Sequence, residues 1–150
     1  MTTSDFVVID ASVGVKWVIR EEQDQLAAAL FTDSRRSSVG LLTPPHFRFE
    51  VANAIWRKHA RRLLTEEAAK TALSDFAEFD TTTVAPPDLS GRAFELALKI
   101  RPGAIYDLLY VALAQIVGCT LWTADSKLAK AVAGVPVVVS LLSTYTPQTA

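Results

Sequence analysis

One cysteine, Cys119, stands alone in the chain. Without a second thiol no internal disulfide can form, and the apolar neighbours of Cys119 mark it as a small core residue rather than a reactive thiol. Long apolar runs are missing too, since none reaches the roughly 18 residues that a membrane-spanning helix needs. The opening "MTTSDFVVID" has no basic segment ahead of an apolar one, so no secretory leader is expected. A charge excess of either sign is nearly absent, at −1 over 150 residues. That argues against a protein that coats DNA or RNA through a global positive field, but local charge suffices for a nuclease. These absences together point to a cytoplasmic protein.

What is present describes a folded domain. Half of the residues are hydrophobic and 21% are charged, the composition of a globular chain rather than a disordered one. The length suits one domain, residues 1–150, with a substantial core. Apolar, β-branched runs at 6–10, 39–43, 81–85, 119–123 and 135–139 read as strands. Helical stretches separate them, at about 23–36, 46–62, from Thr65 onward, 89–100, 106–117 and 126–132. "ASVGVKW" between the first strand and the first helix reads as a short turn. Thr65 followed by two glutamates supplies a helix start, and Gly118 a helix stop. Strands alternating with helices imply an α/β fold, a five-stranded parallel sheet covered on both faces in three layers. No repeat, low-complexity tract or linker divides the chain, and the tail at about 141–150 is polar and expected to be loose.

Carboxylates stand at the strand ends. Asp10 follows the apolar "FVVI", and Asp125 lies two residues beyond Thr123. In an open parallel sheet, ligands bind outside the carboxyl ends of the strands. Either residue could equally cap the helix that follows, and so could Asp107 at the head of the apolar run "LLYVALAQIV". Glu50 is harder to explain that way. At helical spacing Phe49, Ala52, Trp56, Ala60 and Leu63 form one apolar sector, and Phe47, Val51, Ala54 and Ile55 a second. Between them runs a stripe of Glu50, Asn53, Arg57 and Arg61, which suggests a helix facing a cleft between two buried flanks. His46 is the one ionic neighbour that Glu50 has at helical spacing. If the four carboxylates converge, repulsion penalises their charge unless cations share the site. Hard oxygen donors suit Mg²⁺ or Mn²⁺, which leave room for phosphate oxygens. His46 and His59 are read as surface residues, with no zinc pair between them. Trp17, Trp56, Trp122, Tyr106 and Tyr110 are read as core residues rather than base-stacking ones.

"VVIDASVGVKW", "FRFEVANAI", "YDLLYVALA" and "LWTADSKLA" resemble the four sequence blocks of the PIN-domain family, in particular its VapC-type toxins, in order and spacing over nearly the whole chain. The resemblance implies a metal-dependent endoribonuclease acting as the toxin of a toxin–antitoxin pair. On that basis Asp10, Glu50, Asp107 and Asp125 are the catalytic and metal-binding quartet for Mg²⁺ or Mn²⁺. Ser12 and Thr123 orient those carboxylates or a water. The resemblance further implies a homodimer and a cognate antitoxin. Arg57 and Arg61, on the stripe of Glu50, are expected to steer the RNA backbone. Rival readings fit less well. An aspartate-nucleophile phosphatase wants a second Asp two residues after the first, where this chain has Ser12. A receiver domain wants an acidic pair that "VVIDASV" lacks. A binding module would treat every carboxylate as a helix cap.

Overall fold

The computed structural model describes residues 5–149. Residues 1–4, which head the stretch read as lacking a leader, and residue 150 of the tail lie outside the described part. Five short strands form the centre: β1 (Phe6–Ile9), β2 (Gly40–Thr43), β3 (Thr82–Thr83), β4 (Thr120–Thr123) and β5 (Val139–Leu141). They pair in parallel in the order β3-β2-β1-β4-β5. Val8 lies beside both Leu42 and Leu121, and Val8, Ile9 and Leu121 are entirely buried. Sheets of this kind bury both faces, which is why their strands are apolar without alternation. The chain leaves β1 toward β2 on one side and returns to β4 on the other. The strand order therefore reverses around β1, and the carboxyl ends of β1 and β4 border the crevice where such sheets bind ligands.

Helices α1 (Ala11–Gly14), α2 (Asp24–Arg36), α3 (Phe47–Ala60), α4 (Glu66–Phe76), α5 (Leu89–Ile100), α6 (Tyr106–Val117) and α7 (Ser126–Ala131) flank the sheet. α6 carries the long apolar run because it is enclosed by α5, β1 and β4. Burial of Leu108, Val111 and Leu113 alone contributes on the order of 6 kcal/mol before entropy. Gly118 ends the helix in the left-handed conformation at φ 76°, its N–H bonded to the Ala114 carbonyl at 2.8 Å. Thr65 caps α4 by accepting from the Ala68 N–H at 3.1 Å, as its sequence signature anticipates. Cys119 is buried, as expected of a core thiol.

Several expectations are corrected. The fifth strand is Val139–Leu141, not 135–139, because Pro136 lacks a donor and the chain turns through 132–137 before it pairs. β3 shrinks to two residues at the sheet edge. "ASVGVKW" is α1 followed by a 3-10 turn (Val15–Trp17) rather than a bare turn. The tail is not loose: the Tyr145 hydroxyl and the Gln148 N–H both donate to Asp33 Oδ2, at 2.7 and 2.9 Å. Of the two apolar sectors on α3, Phe47, Val51 and Ile55 are buried, whereas Phe49, Trp56 and Leu63 are exposed. Trp56, and Tyr106 at the start of α6, are exposed and so are not core residues. Trp17 does pack among Phe31, Phe47, Phe76 and Phe79, and Trp122 lies edge-on to Tyr145.

Candidate active site

Asp10 leaves β1 and serves as the N-cap of α1, its Oδ1 accepting from the Val13 N–H at 3.3 Å. Two hydroxyls complete its surroundings. Ser12 Oγ donates to Oδ1 at 2.5 Å, and Thr123 Oγ1 donates to Oδ2. Each hydroxyl is itself aimed by a backbone N–H that it accepts, from Ala124 for Ser12 (2.8 Å) and from Asp125 for Thr123 (3.0 Å). The hydrogens of both hydroxyls are thereby directed at Asp10. Burial dominates its titration and pushes the pKa up to about 6, although the bonds from Ser12 and Thr123 oppose the rise.

Glu50 projects from the first turn of α3. Its Oε1 accepts from His46 Nε2 and from the Tyr110 hydroxyl, both at 2.8 Å. Desolvation raises its pKa, but these two bonds outweigh that and hold the carboxyl below its ordinary value. The same Nε2 lies 3.0 Å from the Tyr106 carbonyl oxygen. The histidine ring rests 4.8 Å from that of Tyr110 and 5.8 Å from that of Tyr106. His46 is therefore part of the site, which corrects the surface reading. His59 is half-buried against the Leu64 carbonyl.

Asp107 occupies the first turn of α6 but does not cap it, since Ile105 holds that position and no described residue donates a hydrogen bond to Asp107. Desolvation, then the negative charges of Glu50 and Asp125, raise its pKa. Asp125 does cap: its Oδ1 accepts from the Lys127 and Leu128 N–H groups at 2.9 and 3.2 Å. A cavity of about 340 Å³ brings the four together, lined by Asp10, Ser12, Glu50, Asn53, Arg57, Asp107 and Asp125. The polar stripe of α3 does face a cleft, with Arg57 at its wall. Arg61, one turn on, is the exposed C-cap of α3 and does not line the cavity. Lys58 from the same basic segment is committed to Glu21 at 2.6 Å, and Arg48 to the Phe79 carbonyl at 3.1 Å.

The donor set fits a hard divalent cation. Four carboxylates border one cavity, and the mutual repulsion felt by Asp107 is the effect a cation relieves. Among the described residues no three His, Cys, Asp or Glu side chains stand ready-formed around a single point. The carboxylates ring the cavity, so gathering on an ion takes side-chain rotation, for which Asp107 carries no hydrogen bond to break.

The four acids and both hydroxyls expected from the sequence border or approach this cavity. His46, the one ionic neighbour open to Glu50 at helical spacing, does pair with it although the sequence reads it as a surface residue; Tyr110 is read only as core. The placement of His46 four residues before Glu50 was the available signal. Tyr110 offered none, because its hydroxyl reaches Glu50 across 60 positions of chain.

Comparison with known proteins identifies the family. The family model of the PIN domain matches residues 7–134. Ribonuclease VapC3 of Pyrobaculum aerophilum is 35% identical over 127 residues, covering 83% of this chain and 92% of that protein. Ribonuclease VapC3 of Mycobacterium tuberculosis is 30% identical over 125 residues, covering 83% and 86%. Among solved structures, PAE2754 from Pyrobaculum aerophilum superposes with a TM-score of 0.61 at 21% identity, over 96% of this chain and 94% of that one. VapC20 of Mycobacterium tuberculosis, a toxin that cleaves the sarcin–ricin loop, superposes with a TM-score of 0.61 at 16% identity, over 83% and 94%. With four carboxylates at the switch point of a five-stranded parallel sheet and these relatives alongside, the chain belongs to the PIN-domain family.

Proposed function

We propose that the protein is a metal-dependent endoribonuclease, a single catalytic domain that cuts RNA phosphodiester bonds as the toxin of a toxin–antitoxin pair. The observation that carries this reading is the gathering of Asp10, Glu50, Asp107 and Asp125, from four separate chain blocks, around one cavity. Asp10, Asp107 and Asp125 would hold one or two Mg²⁺ or Mn²⁺ ions, with Glu50 as a further ligand or as a base acting through water. When bound, such an ion lowers the pKa of a water and neutralises charge on the scissile phosphate. The chain's own groups do the rest. Ser12 and Thr123 keep Asp10 oriented and favour its ionised form. Glu50, held below its ordinary pKa, stays ionised at neutral pH and able to accept a proton from water. Arg57 at the cavity wall attracts the RNA backbone.

Exposed apolar side chains fit the partners of such a toxin. Trp56 and Leu73 are exposed along a groove of about 380 Å³ between α3 and α4, and Phe94 and Leu98 are exposed on α5. A homodimer contact and an antitoxin that blocks the cleft are the occupants proposed for these surfaces. Cytoplasmic residence accords with an RNA substrate, and among the described residues no helix is long and apolar enough to cross a membrane. The test is cleavage of structured and single-stranded RNA by antitoxin-free protein in Mg²⁺, Mn²⁺ or EDTA. Wild type should cut with metal alone. Folded Asp107→Asn should lose about a thousand-fold, roughly 4 kcal/mol of transition-state stabilisation. Equal cleavage by both proteins would reduce Asp107 to a bystander and sink the reading.

A further inference from the structure

His46 and Tyr110 lie outside the acidic quartet, and neither lines the cavity. His46 Nε2 and the Tyr110 hydroxyl both meet the same oxygen, Glu50 Oε1. A carboxylate oxygen has two lone-pair directions, so two donors saturate it and leave Oε2 to meet anything in the cavity. His46 does more than donate. Its Nε2 faces two acceptors, Glu50 Oε1 at 2.8 Å and the Tyr106 carbonyl at 3.0 Å, so that nitrogen carries its hydrogen and shares it between them. Tyr106 immediately precedes Asp107, and Tyr110 follows it by one helical turn. Two struts thus run from Glu50 on α3 to the segment of α6 that bears Asp107. The ring of Tyr110 is 1% exposed and the side chain of His46 is 17% exposed. Tyr110 is fixed by the core around it, and the ring of His46 rests against it at 4.8 Å.

We propose that His46 and Tyr110 are positioning residues: they fill Glu50 Oε1, aim Oε2 into the cavity, and set the separation at which Glu50 and Asp107 meet a divalent cation. The proposal rests on the nuclease reading above and assigns the two residues no contact with RNA or metal. Hydrogen bonds that orient a ligating side chain typically alter metal affinity by about 10–100-fold when removed.

The experiment titrates Mn²⁺ by calorimetry into EDTA-stripped wild type, Tyr110→Phe, His46→Ala, His46→Gln and Asp107→Asn, and measures kcat and KM for RNA on each. Tyr110→Phe and His46→Ala should bind Mn²⁺ about tenfold or more weakly, with kcat reduced and KM for RNA little changed. His46→Gln presents an amide nitrogen that reaches both acceptors, and it should recover most of the loss. A purely structural role would lower the melting temperature while leaving the Mn²⁺ affinity of the folded protein untouched. Should His46→Ala fail to fold, Tyr110→Phe keeps the buried ring and decides the matter. Wild-type Mn²⁺ affinity and kcat in Tyr110→Phe, beside an Asp107→Asn that has lost both, would overturn the positioning role and leave the nuclease reading standing. A wild type that neither binds Mn²⁺ nor cuts any RNA would overturn both.

Discussion

Replacing Asp10 by Asn should make the metal-free protein more stable while abolishing its cleavage of RNA. Asp10 is fully buried, and burial lifts its pKa from the reference of 3.8 to about 6. At 1.36 kcal/mol per pH unit, holding it ionised costs the folded state about 3 kcal/mol at neutral pH. Asn removes the charge and keeps the shape. It can accept from one hydroxyl and donate to the other, and the displaced hydroxyl hydrogen finds a partner nearby, since Ser12 Oγ and Thr123 Oγ1 are 3.3 Å apart. The net gain should be about 2–3 kcal/mol at pH 7.5, a shift on the order of 1 M in urea midpoint. The pH dependence separates this cause from others. Below about pH 3 Asp10 is neutral in folded and unfolded chains alike, and the two proteins should then come close to matching. Between about pH 4 and 6 the unfolded chain ionises first, so wild type loses stability as pH rises and the gap opens. Urea melts in EDTA across that range measure it directly. Added Mn²⁺ should raise the wild type and not the variant, because a ligand stabilises only the state that binds it. A variant that is weaker at pH 7.5, or whose advantage is the same at pH 3, would refute this account of Asp10.

Three further outcomes are expected. Gly14→Ala places a methyl 2.7 Å from the ring of Phe47 and 3.2 Å from Val51 Cγ2, which should cost about 1–3 kcal/mol in urea melts. Asp33→Ala should free the tail, read as faster proteolysis near residue 148. In wild type the Gln148 N–H, then the Tyr145 hydroxyl, hold Asp33 below its ordinary pKa. The attachment is thus complete above about pH 4 and is lost as pH falls through the lower folded value. Arg57→Ala should make the salt dependence of RNA binding shallower by about one unit of log slope, and Arg61→Ala by less. Equal effects would mean that the cavity wall does not guide the backbone.

The order of strands and helices was legible because each segment follows a simple local rule. The "FVVI" and "TLWT" runs are strands, buried at Val8, Ile9 and Leu121, and the apolar stretch after Asp107 is a helix enclosed on most sides. The acidic residues were legible because they stand where such strands end or, for Glu50, on a polar stripe. Periodicity shows that a sector of α3 is apolar but not whether another element covers it, so the exposure of Phe49 and Trp56 stayed hidden. Composition made the tail look loose because the residue that anchors it, Asp33, lies 112 positions from Tyr145. The shift of β5 escaped because "VPVVV" satisfies a strand pattern although Pro136 cannot pair. The exposure of Phe49 and Trp56 and the anchoring of the tail depend on contacts between segments distant in sequence, whereas the shift of β5 is local.

Gly14 joins the segment that bears Asp10 to the helix that bears Glu50. α1 begins at Asp10 and ends at Gly14, whose missing side chain admits the ring of Phe47 from the helix that carries Glu50. Residues 14, 47 and 51 therefore share one volume, and none can change size alone. In related sequences a larger residue at position 14 should arrive together with a smaller one at 47 or 51. Such paired exchanges would leave a record of the spacing between the first and second acidic blocks in positions that carry no chemistry themselves.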